Sequence, residues 1–239
     1  LIGVSYGFVT SAADITLGAF FEYGNGSYDT HNSFATIGDV KGDGDVDYAG
    51  GGVLTRIEFA KSDAGSTYAD LSVRFGRSSN DFTLENNGPK YDFDSNYFGL
   101  NVGFGHVFNI TATTSLDIYA KYLWTHQKGK DVRINTGTVI RFDDVNSHRV
   151  RAGLRVAFQA TDFIKPYFGA AYEYEADGRA HAMIGNSIVQ SPELKGSTGI
   201  GEIGLSVNTG SAVNLDFGVQ GYVGKRKGVT GTVVLNFEF

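Results

Sequence analysis

Apolar and polar residues alternate along most of this chain, and the alternation restarts roughly every 20 residues. Ile2, Val4, Tyr6 and Phe8 alternate with Gly3, Ser5 and Gly7, and Ile15, Leu17, Ala19, Phe21 and Tyr23 follow with Thr16, Gly18 and Glu22 between them. The same period returns over 53–59, 71–75, 98–108, 116–124, 150–158, 168–174, 203–207, 213–219 and 229–239. It is clearest where Val150, Ala152, Leu154, Val156 and Phe158 oppose Arg149, Arg151, Gly153 and Arg155. A period of two places successive side chains on opposite faces of a strand. Eleven strands are predicted, and no helical period competes with them, so the fold class is all-β and antiparallel.

The connections sort by length. Short ones lie near 9–14, 60–66, 109–114, 159–165 and 208–212, and long ones near 24–45, 78–95, 127–147 and 176–199. Only the last link, around 224–228, is short where a long one is due. A soluble sandwich has no reason for such sorting, whereas an outer-membrane barrel turns tightly on its periplasmic side and carries long loops outside. Aromatic residues follow the same division. Phe8, Phe59, Phe108, Phe158 and Phe239 stand at the short-turn ends, and Tyr23, Tyr48, Phe98, Trp124, Tyr174 and Tyr222 at the long-loop ends. Two such girdles edge an apolar band at membrane interfaces.

The expected architecture is therefore an antiparallel transmembrane β-barrel, a single domain over 1–239, with its apolar set toward lipid and its charged set inside. The residues expected to line the lumen include Arg56, Arg74, Asp117, Lys121, Arg149, Arg151, Arg155, Glu173, Glu202, Asp216 and Glu238. Arg149, Arg151 and Arg155 are expected to pair across strands with Asp117 and Glu173. A strand count of eleven puts the first and last strands in the same direction. Antiparallel closure needs an even number, so a twelfth strand is expected upstream of Leu1, with the N-terminus a cut within a longer precursor.

Composition narrows the function. A net charge of −6 argues against nucleic-acid binding, and the absence of cysteine excludes disulfides and thiolate metal sites. No apolar run is long enough for a transmembrane helix, which says nothing about strands. His31-Asn32-Ser33 has the spacing of a His–Ser pair but falls in a predicted loop, and Asp143-Asp144 with His148 lacks a second acidic pair. Asp39, Asp43, Asp45 and Asp47, spaced by Gly42 and Gly44, have no following Glu before Glu58 to complete a calcium loop. They read as a solvated outer loop. His106, His126 and His181 are scattered. No catalytic site, metal or cofactor is expected.

The strand number, loop order and aromatic C-terminus resemble the autotransporter β-domain, the translocator of type V secretion. The resemblance runs along essentially the whole chain. It is carried by Gly3-Val4-Ser5-Tyr6-Gly7-Phe8, Leu17-Gly18-Ala19-Phe20-Phe21-Glu22-Tyr23-Gly24, the segment 42–52 and Gly221-Tyr222-Val223-Gly224-Lys225-Arg226-Lys227-Gly228. It implies a non-enzymatic domain of a Gram-negative outer membrane that exports and anchors its own N-terminal passenger, with a linker helix in the bore. It also implies outer-membrane lipid and lipopolysaccharide as surroundings. A barrel-assembly machinery would read the terminal strand through Val233, Leu235, Phe237 and Phe239. Twelve strands leave a bore of about 10–12 Å, the width of one helix. A free-standing porin-like or adhesin-like barrel is the alternative reading.

Overall fold

The computed structural model describes residues 1–34, 38–85, 88–189, 193–210 and 212–238. Eleven strands form one antiparallel sheet: β1 (Ile2–Val9), β2 (Ala13–Phe34), β3 (Gly38–Ser62), β4 (Gly65–Leu84), β5 (Lys90–Asn109), β6 (Thr114–Gln127), β9 (Val145–Phe158), β10 (Ile164–Glu175), β13 (Gly196–Asn208), β14 (Val213–Gly224) and β15 (Gly228–Phe237). Each of these strands pairs with the next in that order, and among the described residues β1 pairs only with β2 and β15 only with β14. Four short strands, β7 (Lys130–Arg133), β8 (Val139–Phe142), β11 (Ala182–Ile184) and β12 (Ser187–Val189), make a second sheet in the order β12-β11-β8-β7.

Register preserves the faces predicted by alternation. Leu17 lies opposite Thr55, Thr55 opposite Leu71, Leu71 opposite Val102, Val102 opposite Tyr122 and Tyr122 opposite Val150. This row of mostly apolar side chains faces outward: Phe21 is 52% exposed, Leu154 45% and Val233 68%. The other face is concave. There, side chains cross over an intervening strand, a step of about 9–10 Å: Tyr68 on β4 reaches Asp117 on β6, and Tyr167 on β10 reaches Asp216 on β14. Contacts that skip a strand require the sheet to curl, and it does so into an open half-barrel with apolar residues outside.

Threonines build the short turns at one end. Thr10 Oγ1 accepts from the amides of Ala12 and Ala13, Thr111 Oγ1 from Thr113 and Thr114, and Thr161 Oγ1 from Phe163 and Ile164. These side chains hold the amides that a reversal would leave without partners. Of the short-turn girdle, Phe8, Phe59, Phe108 and Phe158 occupy outward register positions, while Phe239 lies outside the described residues.

The other end departs from expectation. The segments 24–45 and 78–95 are not loops over their described residues. They are the continued strands of the β2–β3 and β4–β5 hairpins, paired to Phe34↔Gly38 and Thr83↔Lys90. Within 127–147 and 176–199 lie β7, β8, β11 and β12. The 22 residues of β2 make roughly 70 Å of strand, against an apolar band of about 25 Å. These strands therefore rise well beyond the membrane.

Along β2–β5 both faces change character at nearly the same level. The outward face runs Leu17, Ala19, Phe21, Tyr23 and then Asn25, Ser27, Asp29 on β2. On β3 it runs Val53, Gly51, Ala49 and then Asp47, Asp45, Asp43, with Phe75 giving way to Arg77 on β4 and Phe98 to Asn96 on β5. The registered pairs Asp29↔Asp43, Asp45↔Asp81 and Asp81↔Asp92 set carboxylates directly opposite one another, an arrangement that only water tolerates at small cost. The concave face reverses too, from ionic below to Tyr28, Phe82, Tyr91 and Phe93 above. The exchange marks the outer membrane boundary.

The register corrects two girdle positions. Tyr48 pairs with Gly24 and Tyr222 with Ile200, which places both rings on the concave face, whereas Tyr23, Phe98, Trp124 and Tyr174 face outward. Trp124 is the only tryptophan and sits near the boundary beside Phe98, with ring centroids 5.5 Å apart. In bilayers of brominated lipids its emission should be quenched most strongly by bromines close to the headgroups. Quenching no greater than that by a water-soluble quencher would contradict the outward placement.

Candidate functional site on the concave face

The concave face is assembled from a repeated arrangement of a tyrosine over glycine beside a basic side chain, in three cases with a carboxylate taking the hydroxyl. Tyr97 on β5 lies over Gly50 and Gly76, where an added Cβ would come within 2.3 and 2.4 Å of its hydroxyl oxygen. That hydroxyl donates to Glu22 Oε1 at 2.8 Å, and Arg74 stands over the ring at 5.7 Å while pairing with Glu22. Tyr68 repeats the plan over Gly105, donating to Asp117 with Arg56 at 4.2 Å from its ring. Tyr167 does so over Gly204, donating to Asp216 at 2.9 Å with Arg155 at 4.6 Å. Tyr119 covers Gly153, and Lys121 lies 5.3 Å from its ring. Glycine is required at these positions because the ring occupies the space of a side chain. The arginine gains ring contact and carboxylate together.

Each predicted lining residue described here points to this face or its lower edge. Arg56 donates to Asp70, and Arg155 to Glu202. Glu202 also accepts from Gln220, and Asp216 from Ser206. Glu238, at the exposed end beyond β15, accepts from Asn214. Arg151 donates to Glu173 through Nε at 2.9 Å and Nη2 at 2.7 Å. Glu173, with 2% of its side chain exposed, also holds Arg226, which enters from the β14–β15 turn at 2.9 Å. Arg149 stands 3.7 Å from Glu175, whose carboxylate accepts from Ser147 and from the His148 amide. The three arginines thus pair with Glu173, Glu175 and Glu202, and Asp117 serves Tyr68 instead. Arg151 and Arg149 take the glutamates directly opposite them on β10, whereas Arg155, opposite Asp117, reaches past β10 to Glu202 on β13.

The candidate chemistry falls apart in space. His31 lies on strand β2 rather than in a loop, and the side chains of Asn32, Ser33 and Asp39 lie outside what is described. His148 bonds Tyr122 through Nδ1 at 2.8 Å on the outward face, while Asp144 takes the Gly129 amide and stands 3.6 Å from His126. Asp43, Asp45 and Asp47 are strand residues on the acidic outward face. Among the described residues, no group of three or more His, Cys, Asp or Glu side chains converges as metal ligands would.

Sequence reading missed the tyrosine–glycine sets and Arg226. A signal was present: Tyr68, Tyr119, Tyr97 and Tyr167 all fall in the polar phase of their strands, where an aromatic residue needs a reason. Two outcomes follow. Glu173→Ala should destabilise the folded barrel by about 3–5 kcal/mol, because it strands Arg151 and Arg226 in a buried site. Tyr97→Phe, which keeps the ring over glycine, should cost about 1 kcal/mol, and Gly76→Ala more than that. Urea titrations of folding into detergent or lipid should resolve this order.

Comparison with known proteins places this geometry. The family model of the autotransporter β-domain matches residues 1–220. The fold is similar to the transport unit of the autotransporter AIDA-I from Escherichia coli, at TM-score 0.84 and 16% identity over 99% of this chain and 80% of that one. It is also similar to the β-domain of the Bordetella autotransporter BrkA, at 0.70 and 16% over 99% and 88%. The translocator domain of NalP from Neisseria meningitidis gives 0.62 and 12% over 99% and 84%. No curated protein sequence matches the chain.

Proposed function

The chain belongs to the autotransporter β-domain family, outer-membrane translocators of Gram-negative bacteria, and from that premise we propose how its concave face carries polypeptide. The observation that supports the reading is the pairing of an apolar outward face with an ionic inward one on the same eleven strands. A segment in transit needs walls that offer no apolar surface to adhere to, and fixed charges already paired with each other do not seize passing ones. Arg56, Arg74, Asp117, Lys121, Arg149, Arg151, Arg155, Glu173, Glu202 and Asp216 would form that wall, with Glu238 at its periplasmic edge. The role is conveyance and anchoring, without covalent chemistry.

Completion of the barrel follows from the backbone. In hydrocarbon every peptide group needs a partner, at several kcal/mol for each that lacks one. The outer edges of β1 and β15, unpaired among the described residues, would therefore take a further strand, antiparallel to both. The bore of the closed barrel would admit one helix or one extended chain. Val233, Leu235 and Phe237 share the outward face of β15. An edge strand of this kind can add to another sheet, which suits recognition by a barrel-assembly machinery, and Phe239 would belong to the same signal. The acidic face above the membrane boundary would stand among lipopolysaccharide headgroups.

The test is surface display. With the full-length protein in a Gram-negative host, residues N-terminal to the barrel should be shaved by protease added to intact cells. Substituting Leu154→Arg, which puts a charge at the lipid-facing band, should reduce the folded barrel and the display together. Display that survives loss of the barrel from the outer membrane would defeat the proposal.

A further inference from the structure

The four-stranded sheet continues the wall outward in the same order as the strands beneath it, but on a separate ladder. β7 follows β6 after Lys128-Gly129, β8 precedes β9 across Asp143-Asp144, and β11 follows β10. Ile140 and Ala182 of this sheet and Ile134 of the β7–β8 turn bury together as an apolar cluster, with the partly buried Tyr91 and Phe142 packed against it. Phe142 on β8 stacks on Phe93 of β5 at 5.0 Å and meets Tyr91 at 5.6 Å. Tyr91 and Phe93 share the phase of Tyr97, Gly99 and Asn101, so they stand on the face that is ionic lower down. Burial pushes the Tyr91 hydroxyl up to about 12. The hairpin tip is tied to the wall where the Asn135 amide meets the Lys90 carbonyl and the Asn135 side chain accepts from the Lys90 amide.

We propose that this apolar cluster is a seal across the outer mouth of the bore, a barrier to ions and small solutes that parts when polypeptide passes. An apolar constriction in series with a wet bore stops ions because it does not hold water. The two ladders break at Gly129 and at Asp143-Asp144, where the Asp144 carboxylate holds the Gly129 amide, and hinging there parts Phe142 from Tyr91 and Phe93 and releases the Asn135 ties to Lys90. The proposal rests on the conduit reading above and assigns the closure to a part of the wall itself.

The chain contains no cysteine, so an engineered pair would be the only thiols it contributes. The full-length protein carrying Phe93→Cys and Phe142→Cys is purified, inserted into planar bilayers and bridged with a bis-methanethiosulfonate reagent that a thiol reductant reverses. Bridging should suppress conducting bursts, and reduction should restore them. Phe142→Ser should raise the mean conductance severalfold over the unsubstituted protein. Ile188→Ser, at the exposed tip of the same sheet, should leave it unchanged. Equal conductance in the bridged and reduced pair and in Phe142→Ser overturns the seal, including the case in which an occupant lower in the bore is the barrier. Surface display of the same variants is scored separately. Normal display with equal conductance removes the seal and leaves export standing, whereas absence of display in the unsubstituted protein removes the conduit reading.

Discussion

A peptide group in hydrocarbon must bring its hydrogen-bond partner with it, and everything else in this molecule depends on that requirement. It forbids loops within the apolar band and forces the chain to cross as strands paired on both sides. Once strands are paired, the pleat allows each side chain one of two directions. Because the register from β1 to β15 keeps phase across the band, a residue's parity along its strand decides whether it meets lipid or the concave side. Chemistry then follows from geometry: aliphatic and aromatic groups outward, ions inward.

The inward side faces a second constraint, since a strongly curled sheet crowds its concave surface. Glycines at 50, 76, 105, 153 and 204 make room for the tyrosine rings laid over them. Each ring then presents a hydroxyl and a face to the charges beyond. Two ion pairs between strands, Arg74 with Glu22 and Arg155 with Glu202, reach past an intervening strand, while Arg56, Arg149 and Arg151 pair with adjacent strands. The ionic pairs hold curvature as well as neutralising charge. Arg226 extends this logic to the last hairpin by tying the β14–β15 turn to β10 through Glu173.

The strands were legible in the sequence wherever one face met lipid, because only there do apolar and polar residues alternate. Above the boundary the outward face is acidic and the inward one carries glycine beside isolated rings. Gly42-Asp43-Gly44-Asp45 therefore read as a solvated outer loop although its period of two is that of a strand. Tyr48 and Tyr222 were assigned by their level alone; their even positions, against the odd apolar positions of β3 and β14, already placed them inward. Partners such as Arg155 with Glu202 were not legible, since curvature is a property of the whole sheet. The second sheet was hidden for a related reason: its strands are three or four residues long, too short to establish a period.

Within the eleven-stranded sheet the strands differ greatly in length, from 25 residues in β3 to 10 in β15 and 8 in β1. A tube cut from such a sheet has a slanted rim, a high parapet over β2–β5 and a low sill over β13–β15. In the closed barrel proposed above, a chain leaving along the axis would pass the low side first and be screened longest by β2–β5.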